Sequence, residues 1–192
     1  SHVPVGAWRG VNTNQNGLYL ECFMEEVARA AGRDPLEFRR ALMQKHPKHL
    51  AILNAAADKA GWGKPLPAGV HRGIAQFMGY ASYTAAVAEV SVKGDEVKVL
   101  RLVLATNCGH AVNPDQIAAQ VEGSVAYGFD TLQSQSSVAN GRMVETNFDR
   151  YPVARLRQLP RIETVIAPTF DFWGGVGEPT ICVVGPAVLN AI

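Results

Sequence analysis

The chain has 192 residues, which is enough for one substantial hydrophobic core or two small ones. Hydrophobic residues make up 47% and charged residues 18%, below the roughly 25% usual for soluble domains, so other protein surfaces are expected to cover part of this chain. Eighteen Lys and Arg against seventeen Asp and Glu give a net charge of +1. The sequence has no cluster of basic residues that could bind the phosphates of a nucleic acid, which argues against nucleic acid as a partner.

A first helix is predicted near the N-terminus. Apolar residues recur at three- and four-residue intervals over residues 18–31, and Gly32 follows as a stop signal. On this pattern Glu25, Glu26 and Arg29 are expected to face water.

Two further helices are predicted from their end signals. Asp34 followed by Pro35 supplies an N-cap and a first-turn proline for a short helix that ends near residue 43. Residues 47–60 repeat the helical pattern and end at Gly61.

The stretch from Pro65 to Gly69 marks a change in the chain, because the period of the apolar residues changes from three-and-a-half to two after it. We place an internal boundary here. Residues 1–64 are then a helical N-terminal segment, and residues 65–192 are an α+β segment with a hairpin, a helix and a glycine-rich loop.

A β-hairpin is predicted around Lys93-Gly94-Asp95, with strands over residues 85–93 and 96–105. Asn113 and Pro114 open another helix. The apolar stripe that should pack this helix on the sheet consists of Ile117, Ala118, Val121, Val125 and Phe129.

The last third of the chain carries a second turn at Asn140-Gly141, and residues 186–192 resemble the beginning of a helix. The whole pattern predicts an α+β fold with a mixed or antiparallel sheet and packed helices.

The three cysteines, Cys22, Cys108 and Cys182, are too far apart for a zinc or iron–sulfur motif, and their odd number argues against a disulfide framework. We interpret them as buried residues and predict no catalytic cysteine and no protein ligand to a metal. The sequence contains no run of eighteen apolar residues. It leaves the compartment open between bacterial cytoplasm and periplasm.

Glu178 is the sharpest candidate for chemistry. It stands between Gly177 and Pro179, so the backbone before it allows close approach and the backbone after it is stiff. Such a carboxylate can be presented to a ligand in one pose. The alternative is a glutamate that braces a surface turn.

A second polar group lies on the predicted helix, where Gln120 is followed three residues later by Gly123. Gln120 offers a donor and an acceptor, and Gly123 would let a ligand approach the helix. The alternative is a glycine needed for helix packing beside an exposed glutamine. His110 is interpreted as a turn residue.

A third candidate precedes the first helix. Arg9 could bind an anionic oxygen through its planar guanidinium, with Trp8 and Gly10 on either side of it. The alternative is a solvated loop with a half-buried tryptophan.

Five segments in a fixed order carry a resemblance to a known family: Ala-Trp-Arg-Gly-Val at 7–11, Glu21 to Arg40, Asn113-Pro114 with Gln120-Val-Glu-Gly, Asn147-Phe-Asp, and Gly175-Val-Gly-Glu-Pro. Together they resemble the molybdopterin-binding large subunit of the xanthine dehydrogenase and aldehyde oxidase family. Within that family they are similar to isoquinoline 1-oxidoreductase and to bacterial aldehyde dehydrogenases that have an iron–sulfur partner.

The resemblance implies hydroxylation of an N-heterocycle or oxidation of an aldehyde, with water as the oxygen source and a molybdenum-pyranopterin cofactor, for which the cytosine dinucleotide form is a candidate. It implies that Glu178 is the base that takes a proton from the attacking oxygen. The implied cofactor-binding residues are Gln120, Gly123, Gly175, Gly177, Arg9 and Gly10, and the implied substrate residue is Trp8.

Family large subunits are several times longer, so the chain is expected to be a C-terminal piece that lacks cofactor and activity on its own. The implied partners are the rest of the large subunit, an iron–sulfur small subunit, a small-molecule substrate and a cytochrome c acceptor. Departures at Asn12, Asn107 and Cys108 leave the substrate open. Two alternatives stay open: a non-catalytic structural or interaction module, and a separate small-molecule-binding α+β domain.

Overall fold

The computed structural model describes residues 6–192. The helices in this range are α1 Thr13–Ala30, α2 Pro35–Leu42, α3 Pro47–Ala60, α4 Pro114–Gln133 and α5 Ile181–Leu189, with a short 3₁₀ turn at Leu156–Gln158. The strands are β1 Val70–Gly79, β2 Ser82–Lys93, β3 Glu96–Asn107, β4 Val138–Ala139, β5 Arg142–Met143 and β6 Arg161–Ile166. None of these helices is long and apolar enough to cross a membrane.

Four strands form one sheet in the order β1-β2-β3-β6. The first three are antiparallel neighbours, and β6 pairs with β3 in parallel after the chain has passed through α4. The sheet is therefore mixed, and the predicted α+β class and the predicted β2–β3 hairpin are confirmed. The predicted turn at Asn140-Gly141 is also confirmed, and it joins two short strands that were not predicted.

Both faces of the sheet are covered by helices. Ala85 and Val87 of β2 pack with the apolar side of α3, whereas Ala86 and Ala88 point to the other face, where α4 and α5 lie. The alternation of side chains along a strand produces these two cores. In the core between the sheet and α4 and α5, four of the five residues in the predicted stripe of α4 are buried, and Ala118 is partly buried.

Helix α1 exists as predicted, but its buried face was predicted wrongly. The helix begins at Thr13, and its buried residues are Gly17, Glu21, Glu25 and Ala28. Glu25 was expected to face water but is buried, and the apolar Phe23 is exposed instead. The reason is an ion pair that the helical periodicity does not show: Arg39 of α2 is buried against Glu21 and Glu25.

The ends of α2 and α3 follow the predicted signals. The Asp34 side chain accepts hydrogen bonds from the backbone N–H groups of Leu36 and Glu37, and Gly61 ends α3 with a φ of +70°. The helices before the Pro65–Gly69 stretch and the strands after it share a core, since α3 packs on β2 and β3. The boundary at residues 64/65 stays a prediction.

Helix α5 begins at Ile181, five residues before the start that Pro186 suggested, so that prediction was wrong. Pro186 lies inside the helix and has no N–H for the carbonyl of Cys182. That carbonyl faces Gly17 of α1, where an added Cβ would lie 2.8 Å from the Cys182 oxygen. The proline is tolerated where two helices approach each other closely.

Candidate functional site

Glu178 lies in the glycine-rich loop that leads into α5, and it is partly buried. Its Oε1 atom accepts a hydrogen bond of 2.9 Å from the backbone N–H of Gly10. Gly10 has a φ of +94°, and a side chain there would overlap Asn14. The N-terminal segment thus holds one oxygen of Glu178 through a backbone conformation that requires glycine.

Arg9 joins the same loop to α4. Its Nε donates to the Gly177 carbonyl at 2.7 Å, and its Nη2 donates to the carbonyl and the Oε1 of Gln120 at 3.1 and 3.0 Å. The guanidinium also lies over the Tyr127 ring, 5.0 Å from the centroid. Arg9 therefore fixes the position of Gln120 relative to Glu178.

The acceptor and the donor of the Gln120 side chain have different surroundings. Its oxygen accepts from Arg9, whereas within residues 6–192 its amide nitrogen has no protein acceptor. A donor is thus available on the exposed face of α4, beside the loop that carries Glu178.

Two glycines near Gln120 are not required by their own packing. A Cβ on Gly123 would meet Arg9 Nη1 at 3.5 Å, and one on Gly177 would meet Gln120 Oε1 at 3.7 Å, which are ordinary contacts. Gly175 is different, because its Cβ would lie 3.0 Å from that of Tyr80. Packing within the fold explains why position 175 is a glycine. It does not explain the glycines at positions 123 and 177.

Trp8 forms the outer edge of the site. Its ring meets Tyr127 edge-to-face at 5.6 Å, and 39% of the residue is exposed. Trp8 also lines a cavity of about 430 Å³ between the N-terminal segment, α1 and α5, with Asn14, Leu18 and Ile181 among its other walls. This volume lies in the range of small-molecule sites.

The loop beyond Glu178 is fixed to α4 by a buried hydroxyl pair. Ser124 Oγ and Thr180 Oγ1 are 2.7 Å apart, and the Ser124 oxygen also lies 2.6 Å from the Val121 carbonyl. This contact holds the start of α5 against the helix that carries Gln120.

The cysteines lie outside this set of contacts. Cys108 and Cys182 are buried and Cys22 is partly buried, and all three are free thiols. Burial raises the pKa of each, that of Cys182 to about 12. A neutral thiol is a poor nucleophile. His110 stacks on Trp173, with ring centroids 4.2 Å apart.

The structure brings together most of the residues singled out from the sequence: Trp8, Arg9, Gly10, Gln120, Gly123, Gly177 and Glu178. Tyr127 was missed, although Gln120, Gly123 and Tyr127 share one face of a helix at spacings of three and four residues. The Ser124–Thr180 contact carried no local signal.

A family model described as the molybdopterin cofactor-binding domain matches residues 23–160. The matched range contains Gln120 and Gly123, whereas Arg9 and Glu178 lie outside it.

Two curated relatives cover nearly the whole chain. The chain is 31% identical to isoquinoline 1-oxidoreductase subunit beta of Brevundimonas diminuta, over 98% of this chain and 25% of the relative. It is 29% identical to a membrane-bound aldehyde dehydrogenase (pyrroloquinoline-quinone) of Gluconacetobacter polyoxogenes, over 97% of this chain and 27% of the relative. The chain thus spans about a quarter of the length of each.

Among solved structures, the chain resembles the aldehyde oxidoreductase of Desulfovibrio desulfuricans, with a TM-score of 0.74 and 12% identity. The match covers 96% of this chain and 39% of that one. At this identity the likeness shows the fold alone. The resemblance inferred from the sequence motifs is confirmed by the family model and the curated relatives.

Proposed function

Because this chain belongs to the family of molybdopterin cofactor-binding domains, we propose that it forms one wall of the active site of a molybdenum hydroxylase. Glu178 is the catalytic base of that site, and Gln120 and Arg9 belong to its cofactor-binding surface. The two cited relatives, an isoquinoline oxidoreductase subunit and an aldehyde dehydrogenase, support an N-heterocycle or an aldehyde as the substrate.

One observation carries the proposal: Gly10 N–H holds Glu178, while the adjacent Arg9 holds Gly177 and Gln120. These residues come from the two ends and the middle of the chain. A surface turn would not need such convergence, whereas a site needs its groups held in place by other residues.

The site fits a pterin cofactor on two counts. Gly123 and Gly177 leave space that a Cβ would fill without a clash, and the Gln120 amide donor stands beside that space. A pyranopterin has ring nitrogens and oxygens that an amide can bind. When bound, the cofactor would supply the redox chemistry, and the protein supplies orientation and electrostatics.

Glu178 is arranged to accept a proton. Gly10 N–H binds its Oε1 and fixes the orientation of the carboxylate, which then takes the proton from the attacking oxygen atom. The partly exposed Trp8 ring, which meets Tyr127 beside Arg9, offers an apolar surface for a planar substrate.

The assembly around this site is part of the proposal. The isoquinoline 1-oxidoreductase relative is named as a subunit, which supports a multi-subunit enzyme. We propose that the rest of the large subunit completes the cofactor site and that an iron–sulfur small subunit takes the electrons, with a cytochrome c as a later acceptor. The cytosine dinucleotide form is the proposed cofactor.

The test is Glu178→Gln in the full-length enzyme, purified with its partner subunits. We expect kcat to fall by about a hundredfold or more with unchanged molybdenum content, because a general base is lost while the cofactor contacts remain. Glu122→Gln is the matched control, since Glu122 is an exposed carboxylate two residues from Gln120. Normal kcat in a fully loaded Glu178→Gln enzyme would refute the role of Glu178.

A further inference from the structure

The outer side of α1 is apolar, although the side that the helix buries is polar. Tyr19, Leu20 and Phe23 are 69%, 49% and 61% exposed. Their spacings of three and four residues place them on one side of the helix. The opposite side buries Glu21 and Glu25. Helix α1 is therefore the reverse of an ordinary surface helix, which buries its apolar stripe and exposes its charges.

No exposed charge interrupts this outer side. The structure describes every residue between Val11 and Phe23, and the exposed ones are apolar or carry amides. They are Val11, Asn12, Gln15, Asn16, Tyr19, Leu20 and Phe23. We call this surface the α1 face. Its composition is typical of the core of a protein–protein interface, where charged residues are depleted and aromatic residues are enriched.

A cavity lies beside the α1 face. It is the cavity of about 430 Å³ next to Trp8, between α1 and α5, and Val11, Gln15 and Leu18 belong to its wall. Within residues 6–192 the wall contains no charged side chain, and it includes neither Gln120 nor Glu178. An uncharged cavity beside an apolar face is suited to receive an apolar side chain from a partner surface.

Gly185 of α5 leaves space in the wall of this cavity. It lies inside the helix, where glycine is a poorer helix former than alanine. A Cβ on Gly185 would make only ordinary contacts, at 3.6 Å with Leu18 and 3.9 Å with Leu132. Packing against these neighbours therefore does not require a glycine, whereas a larger side chain would reduce the volume of the cavity.

The comparison with relatives indicates what covers the α1 face. The chain spans about a quarter of the length of its two curated relatives. In an enzyme of that length, the remaining part of the same polypeptide has a high effective concentration at this surface, which favours it over a second copy of the chain. The face also adjoins Trp8, at the edge of the site that the rest of the large subunit is proposed to complete.

We propose that the α1 face and its cavity are the docking surface for the rest of the large subunit. That part covers Tyr19 and Phe23 and inserts an apolar side chain into the cavity. Because Arg9 and Gly10 directly precede α1, the same contact holds the segment that binds Glu178. The inference rests on the proposed assembly, but it does not depend on the role of Glu178, since docking can be measured without activity.

Hydroxyl-radical footprinting of the full-length enzyme tests whether the α1 face is covered. Oxidation of Tyr19 and Phe23 is measured by mass spectrometry in the folded enzyme and in the urea-unfolded enzyme. We expect both side chains to react several-fold more slowly in the folded enzyme, although they are 69% and 61% exposed in this chain. Equal rates in the two states would overturn the proposal.

Photocrosslinking identifies the occupant. Phe23→benzoylphenylalanine in the full-length enzyme should capture a peptide of the same large subunit that lies outside these 192 residues. The control is the same substitution at Leu156, which is 87% exposed and lies outside the α1 face. Capture of a second copy or of the small subunit from position 23, no capture at all, or capture of one peptide from both positions would overturn the proposed occupant.

The cavity is tested by Gly185→Leu in the full-length enzyme, with Gly185→Ala as the matched control. The leucine side chain should displace the inserted side chain, so we expect Tyr19 to be oxidised several-fold faster in Gly185→Leu. The alanine variant should keep the slow rate, because its methyl group makes only ordinary contacts. The same slow rate in both variants would show that no side chain enters the cavity.

These results separate docking from catalysis. If Glu178→Gln is fully active while Tyr19 and Phe23 are protected, the role of Glu178 is wrong and the docking surface stands. If Glu178→Gln is inactive while Tyr19 and Phe23 react as in the unfolded enzyme, Glu178 remains the base and the docking surface is wrong.

Discussion

Gly123 lies on α4 at a position where the protein itself would accept a larger residue. A Cβ there would make an ordinary contact of 3.5 Å with Arg9. Gly128, five residues further along the same helix, is in the opposite situation, since its Cβ would lie 2.6 Å from that of Val184. One glycine is required by helix packing, and the other is open toward the proposed cofactor.

Gly123→Ala should therefore separate stability from cofactor binding. We expect the free energy of unfolding of the chain to rise by up to about 1 kcal/mol, because alanine favours the helix. The full-length variant should nevertheless lose molybdenum, because the new methyl group occupies the space for the cofactor. Chemical denaturation and metal analysis measure the two effects.

Gly128→Ala is the matched control for this experiment and should lower stability. Full molybdenum content in Gly123→Ala would show that the space beside Gln120 is not used by the cofactor.

Single residues also show what could be predicted at this scale. Arg9, Gln120 and Glu178 were singled out because they stand in motifs that resemble those of the family, and local spacing alone left each with a structural alternative. The contact of Tyr127 could not be predicted, because it depends on Arg9, from a distant part of the chain.

At the scale of elements, local signals predicted those helices whose ends are encoded nearby. Asp34 and Gly61 act on their own neighbours, so α2 and α3 were correct. The buried face of α1 was predicted wrongly, because it is determined by Arg39 in another helix. Strand β6 was not identified at all, since it follows α4 and a long loop and pairs in parallel with β3.

The Arg39 ion pair gives a prediction at this scale. Arg39 is 1% exposed and binds Glu21 at 2.8 Å, and Glu21 also accepts the Gln76 N–H of β1. Arg39→Met leaves the buried Glu21 carboxylate without its cation, whereas Glu25 keeps its ion pair with Arg29. We therefore expect a loss of about 3–5 kcal/mol in the free energy of unfolding. Arg40→Met, at a surface pair with Glu37, should cost less than about 1 kcal/mol.

The loss in Arg39→Met should depend on pH. Burial raises the pKa of Glu21 even with Arg39 present, so the folded state binds a proton at higher pH than the unfolded chain does. Without Arg39 this tendency grows, and the loss should be largest at neutral pH and smaller after acidification. A loss that is the same at both pH values would contradict this account of Glu21.

At the scale of the whole molecule, the segment from Gly10 to Glu21 packs against the segment from Glu178 to Asn190. Gly10 bonds to Glu178, Gly17 contacts α5, and Asn190 donates to the Glu21 and Ile74 carbonyls. The fold class could be predicted from the hairpin and the helix that follows it. The packing of these two segments could not, because sequence periodicity contains no information on contacts more than 160 residues apart.

The central claim is that the region around Arg9, Gln120 and Glu178 forms one wall of a molybdenum site, with Glu178 as its base. Anomalous diffraction at the molybdenum edge from crystals of the full-length enzyme tests it most directly. We expect one molybdenum peak beside the Glu178 carboxylate, on the side of Gln120 and Gly123. A peak remote from Glu178, for example on the sheet face covered by α3, would contradict the claim.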